Sequence, residues 1–171
     1  GIVSIATSAV QDTQLITSVS ELKDAVDALS SEGFTNHEDA FEKALALFDP
    51  ASTNAKVMVM FTDGKTTAGG DANTVATLAK SQGVVIYCIG LSGNGGLDVN
   101  ALNAWSSDPD SAYVAITPDD EELEEIFRDL AQNISKPGAT DIVIKDTVVS
   151  CFRITEISSP TKGTASMSGT N

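Results

Sequence analysis

The stretch AKVMVMFTDGK, residues 55–65, decides how this chain is read. Val57, Met58, Val59, Met60 and Phe61 form an unbroken apolar run of strand length. Alternation cannot generate such a run, so it predicts a strand buried on both faces of a parallel sheet. Thr62-Asp63-Gly64 ends it and sets Asp63 at the carboxyl edge of that sheet, where open α/β folds collect their ligands. Asp63 is the first candidate functional residue.

Outward from this strand the same alternation of element types repeats. Upstream, residues 2–6 (IVSIA) read as a strand and residues 13–16 as a shorter, more exposed one. Ser18 and Glu21 have capping-box spacing, and Leu22, Ala25, Val26 and Leu29 then recur on one helical face until Gly33. Thr35 with Glu38 is a second start signal, followed by Phe41, Ala44, Leu45 and Phe48 until Asp49-Pro50 stops the helix. Downstream, a Gly-rich polar loop (66–73) leads to a short helix carrying Val75, Leu78 and Ala79, closed by Gly83. Residues 84–89 are another apolar strand; Val99, Leu102 and Trp105 mark a helix, and residues 113–116 a further short strand. Thr117-Pro118-Asp119-Asp120 opens a last helix whose core stripe is Leu123, Ile126, Phe127 and Leu130.

Strands alternating with helices predict an α/β fold: a doubly wound, mostly parallel sheet with helices on both faces. Composition changes at Ser135-Lys136-Pro137-Gly138, beyond which residues 141–149 and 152–157 are β-rich and 158–171 small and polar. The expected organisation is an α/β domain over 1–135, then a linker and the start of a β-rich module over 136–171.

The 171 residues suffice for one domain with a proper core and a small appendage. Ten basic against 24 acidic residues give a net charge of −14, which repels phosphate backbones and anionic lipid surfaces. Nucleic acid is excluded as a natural partner, whereas divalent cations suit the charge. No apolar run spans a bilayer, and the start, GIVSIATSAV, lacks the basic region of a signal peptide, so no membrane insertion is expected. Of the two cysteines, Cys88 lies inside an apolar strand and reads as a small buried hydrophobe rather than half of a disulfide.

GFTN before a helix and a buried strand ending in TDG resemble two of the three signature segments of the von Willebrand factor A (vWA) domain. The likeness extends over residues 1 to about 135, with GIVSIATSA as the family's second strand, VVIYCIGLS as its fifth, and the closing acidic helix. The resemblance implies a metal-ion-dependent adhesion site, in which hydroxyl and carboxylate oxygens hold a divalent ion, usually Mg²⁺, with a position left for a partner's carboxylate. Thr35 and Asp63 would be its ligands. The family's first segment, D-x-S-x-S, is not found among these residues. A Thr and an Asp with waters hold Mg²⁺ poorly, because that ion gives up hydration reluctantly. Metal binding by this chain is therefore expected to be weak or absent.

By resemblance, the strand carrying D-x-S-x-S lies between residues 2–6 and 57–62. Three fillings of that slot are expected: direct closure of the sheet, a tail strand (141–149), or strand exchange with a neighbouring chain. Each site residue also has a plainer role, Thr35 as a helix N-cap and Asp63 in an Asx-turn. His37, the single histidine, is expected exposed and solvated; Asp71 and the acidic run 119–125 read as surface, and Trp105 as a core anchor.

Catalysis finds no footing. One histidine excludes most Ser-His-Asp arrangements, and neither a G-x-S-x-G elbow nor a Walker A sequence occurs. The segment 90–96 places Asp98 where a dinucleotide fingerprint needs its third glycine. The expected function is non-enzymatic: an adhesion-type vWA domain binding a protein or extracellular-matrix ligand through a partial metal site. The alternative is a spacer domain of a surface protein with no active metal site. The tail resembles the junction to β-rich modules in Gram-positive bacterial surface proteins, which implies an extracellular or cell-surface location.

Overall fold

The structure, a computed structural model, describes residues 1–30, 33–92, 96–117, 120–135 and 164–166. The chain divides into two units, Gly1–Ser135 and Lys136–Asn171. The fold described below is that of the first, and the expected linker, tail strand 141–149 and β-rich segment lie outside the described residues.

The element order is β1 (Val3–Ser4), β2 (Val10–Gln11), α1 (Val19–Asp27), α2 (His37–Ala46), β3 (Lys56–Thr62), α3 (Ala72–Ser81), β4 (Val84–Leu91), α4 (Val99–Trp105), α5 (Asp110–Tyr113), β5 (Val114–Thr117) and α6 (Asp120–Ser135). Strands β3, β4 and β5 form a parallel sheet in that order, with Met58 opposite Ile86 and Met60 opposite Cys88. The alternation of strand and helix read from the sequence produces this α/β layering. Each crossover carries a helix that buries an apolar stripe: Val75, Ala76 and Ala79 from α3, Leu102 and Trp105 from α4. They share one core with Ala40 and Phe41 of α2 and with Met58, Met60, Ile86 and Cys88. Helix α6 lies against the opposite face, where Phe127 meets Phe61 at 6.1 Å between ring centroids.

The expectation that β3 is buried on both faces is corrected. Met58 (7% exposed) and Met60 (5%) are buried, while Val59 (38%) and Phe61 (41%) on the other face stay open, because α6 reaches only part of that face. The predicted second strand also moves. Residues 13–16 are not strand; β2 is Val10–Gln11, and the Thr13 hydroxyl instead accepts the Ile2 N–H at 2.9 Å. Helix α1 begins as expected at the Ser18 cap, but none of its residues is buried.

Strands β1 and β2 pair antiparallel in a ribbon separate from the three-stranded sheet. Direct closure of the sheet is thereby contradicted: a groove of about 630 Å³ runs between β1 and β3, lined on one side by Val3 and Ile5 and on the other by Val57 and Val59. Of these two strands, β1 pairs only with β2 and β3 only with β4, and the groove occupies the place in which a ladder between them would form. Nothing in the described residues speaks for strand exchange with a neighbouring chain.

Candidate functional site

At the carboxyl ends of β3 and β4 the groove opens to a rim. Asp63 follows the last residue of β3 directly, and Thr35 stands two residues ahead of α2; both line the same groove, together with Leu91 at the end of β4. Asp63 is exposed and Thr35 half-buried. The two residues singled out from the sequence thus lie along one groove.

The helix start differs in detail from the expected cap. Asn36, not Thr35, is the N-cap: its side-chain oxygen accepts the Asp39 N–H at 3.1 Å. Thr35 is occupied elsewhere. Its N–H donates to Thr67 Oγ1 at 2.8 Å, and its carbonyl accepts the N–H groups of Thr67 at 2.9 Å and Ala68 at 3.2 Å. The loop after β3 is therefore stitched to the residue before the helix. Glu38, expected to reach back in a capping box, accepts the Gly70 N–H instead. Gly69, at φ +80°, lies so close to the Asn36 side chain that a Cβ there would collide with its oxygen.

The expectation of an exposed His37 is overturned. Its imidazole is fully buried, Nδ1 lying 2.8 Å from Thr66 Oγ1 and Nε2 3.0 Å from Thr62 Oγ1. Trp105 packs against it at 4.8 Å between centroids, which is why burial succeeds: one face is aromatic and both polar edges are hydrogen-bonded. Burial lowers its pKa to about 4, so the ring is neutral. This cluster of His37, Thr62 and Thr66 was missed from the sequence. The available signal was the density of hydroxyls in TDGKTT, residues 62–67, beside a lone histidine at a helix start.

Beside this rim, α2 is fastened to the ribbon. Asn36 N–H donates to the Ala6 carbonyl at 3.0 Å and the Asn36 amide to that of Thr7 at 3.2 Å. Asp39 accepts the Ala9 N–H at 2.7 Å and pairs with Lys43 at 3.0 Å; Lys43 first, and Ala9 in addition, hold its carboxyl below the usual range. Asp71, read as surface, is exposed and caps α3 through the Asn73 N–H. Trp105 is a core anchor as expected, and Cys88 is buried, its thiol pushed up to about 12 by desolvation.

The donor types at the rim, one carboxylate and one hydroxyl, are hard oxygens and fit a hard divalent ion in kind. In number they do not complete a cage. Among the described residues no three His, Cys, Asp or Glu side chains gather where they could hold a metal.

The sequence model of the von Willebrand factor type A domain matches residues 1–129. The chain belongs to that family. Among solved structures, proximal thread matrix protein 1 from the mussel byssus, solved with a zinc-occupied MIDAS motif, is 26% identical, with a TM-score of 0.66 over 77% of this chain and 33% of that one. A von Willebrand factor type A structure from Catenulispora acidiphila is 21% identical, with a TM-score of 0.66 over 77% and 32%. The conserved hypothetical protein BatB from Bacteroides thetaiotaomicron, 14% identical, has a TM-score of 0.62 over 79% and 78%. The latter two show the fold alone. This vWA chain spans about a third of the length of the first two structures. No curated protein sequence matches it. Among the described residues no helix is long and apolar enough to cross a membrane.

Proposed function

We propose that this vWA domain is a non-enzymatic, adhesion-type binding module that engages a protein or extracellular-matrix ligand at the rim bearing Thr35 and Asp63. The observation that carries the reading is the convergence of these two oxygen donors on one groove at the carboxyl edge of a parallel sheet. The membership of the family and the likeness to a thread matrix protein with a zinc-occupied MIDAS motif support it. That likeness to a matrix protein is also the support for an extracellular location, and 136–171 is proposed as a linker and the start of a β-rich module.

Thr35 and Asp63 are the proposed ligands of a divalent cation, Mg²⁺ by resemblance. Bound there, such an ion supplies an open coordination position for a carboxylate of the partner. Two protein donors leave most of an octahedral shell to water, so the chain by itself holds Mg²⁺ weakly. The groove between β1 and β3 is the proposed seat of a strand bearing D-x-S-x-S, whose oxygens join the same rim.

Calorimetric titration with Mg²⁺ tests this, comparing the chain with a form carrying such a strand ahead of Gly1. The expected result is tighter binding by the completed form, lost in its Asp63→Ala variant. Equal affinities contradict the site, and no binding by either form leaves the spacer reading in its place.

A further inference from the structure

The hydrogen bonds around His37 fix which ring nitrogen carries the proton. Thr62 Oγ1 accepts the Gly64 N–H at 3.3 Å, and its other partner is His37 Nε2. A hydroxyl has one proton to give. Were Nε2 protonated, Oγ1 would accept twice and its hydrogen would stay buried without an acceptor, at the cost of its desolvation. Thr62 therefore donates to Nε2, and Nδ1–H donates to Thr66 Oγ1 at 2.8 Å.

One neutral ring thus ties three places together: the first residue of α2, the residue immediately before Asp63, and the loop three residues after it. The neighbouring residues of that loop, Thr67 and Ala68, are bonded to Thr35 itself. Trp105 lies across the ring at 47° and opposes its rotation out of the pair of bonds. Nothing else among the described residues links β3's end to the start of α2 through buried polar atoms, since Thr62 and His37 are the buried polar residues there.

We infer that His37 is a positioning residue for the rim: as the Nδ1–H tautomer it clamps the Asp63 turn to the start of α2 and so fixes the span between Asp63 and Thr35. The use assigned to the clamp rests on the binding-rim reading; the clamp itself does not.

Two measurements on the chain in EDTA test it. Long-range ¹⁵N imidazole spectra are expected to place the proton on Nδ1, and a proton on Nε2 overturns the inference. Amide hydrogen exchange then reads the clamp. Thr66→Val, at an exposed position, removes one of the two bonds without threatening the fold. After correction for intrinsic rates, protection at Gly64, Thr67 and Ala68 is expected to fall roughly two- to tenfold, as for one lost hydrogen bond, with Ile86 and Cys88 in the β3–β4 ladder unchanged. His37→Phe keeps an aromatic ring against Trp105 and removes both bonds, so the same three amides lose more. His37→Asn, with an amide nitrogen near the Nδ1 position, recovers protection at Thr67 and Ala68. Unchanged exchange in the first two variants, or an equal loss throughout the sheet, overturns the clamp whatever Mg²⁺ does. Local loss together with an absence of Mg²⁺ binding in every form leaves the clamp standing and removes the metal reading alone.

Discussion

The β3–β4–β5 sheet and the β1–β2 ribbon belong to one domain but are secured by different balances of apolar and polar contact. In the sheet, Met58, Met60, Ile86 and Cys88 interlock with Phe41, Val75, Ala79, Leu102 and Trp105, and removal of apolar area from water does the holding. In the ribbon each strand is two residues long and Val10 is 53% exposed. Ala9 reaches the core and Val3 and Ile5 pack against it, but most of the ribbon's fastenings are polar: Asp12 accepts the Ser4 N–H at 2.7 Å, Thr13 the Ile2 N–H at 2.9 Å, and Asp39 on α2 the Ala9 N–H at 2.7 Å. Helix α2 is the common member, apolar toward the sheet through Ala40 and Phe41 and polar toward the ribbon through Asn36 and Asp39. The groove explains the asymmetry, since without a ladder between β1 and β3 the halves are joined through α2, by the Asn36 N–H bond to the Ala6 carbonyl and by side chains.

The largest effect should come from the apolar side. Phe41→Ala removes a fully buried ring that meets Trp105 edge-on at 5.6 Å, and should lower unfolding stability by about 3–5 kcal/mol in urea titrations. A loss under about 1 kcal/mol would mean that the sheet is not held by its core. Next is acid. His37 is held at about 4 by burial against an ordinary value of 6.5, so in the folded chain the ring stays neutral where the unfolded chain takes up a proton. Its contribution is whole above pH 6.5, is lost as pH falls from there to about 4, and changes no further below. At about 1.4 kcal/mol per pH unit the ceiling is about 3 kcal/mol. Urea midpoints in EDTA at pH 7 and pH 4.5 should lie further apart for the native chain than for His37→Phe, which shares every carboxylate but not the imidazole.

Asp39→Asn attacks the polar side. It weakens the clip to Ala9 and ends the pairing with Lys43, and should cost about 1–2 kcal/mol by the usual worth of a hydrogen bond to a charged acceptor. The discriminating reading is its distribution. Exchange at Ala9 and Asp12 should accelerate, while Ile86 and Cys88 keep their rates; uniform acceleration would show that ribbon and sheet unfold together.

How far these two halves could be read from the sequence follows the same division. Strands β3 and β4 are apolar runs whose fate hydrophobicity decides, and they stand where the sequence puts them; so do the helices whose stripes meet this core. The far face of β3 was misjudged because an apolar run reports what could be buried, not what arrives to bury it. The ribbon was misplaced by a few residues because Thr13, a good strand former, spends its hydroxyl on Ile2 instead of joining a ladder. The convergence of Thr35 and Asp63 on one groove was legible, since both positions follow from strand and helix ends. The clamp beneath them was not. The sequence offers Thr35 with Glu38 as the start signal, yet Asn36 caps the helix through the Asp39 N–H, while Thr67 and Ala68 occupy the Thr35 backbone. The burial of His37 depends on Trp105, which no local pattern connects to it.

The smallest effect concerns the contrast between two helices rather than two sheets. Helices α1 and α2 have similar amphipathic patterns and comparable caps, at Ser18 and Asn36, yet Phe41 is wholly buried and Val26 is 53% exposed. Periodicity alone would make their apolar positions equivalent. Val26→Ala removes a side chain with little packing to lose and substitutes a better helix former, so the two consequences oppose each other and the net change should stay within about 0.5 kcal/mol. A cost above about 1 kcal/mol in the same urea titration would show α1 packed in solution. The stripe of Leu22, Ala25, Val26 and Leu29 would then belong to the core, and the difference between α1 and α2 would vanish.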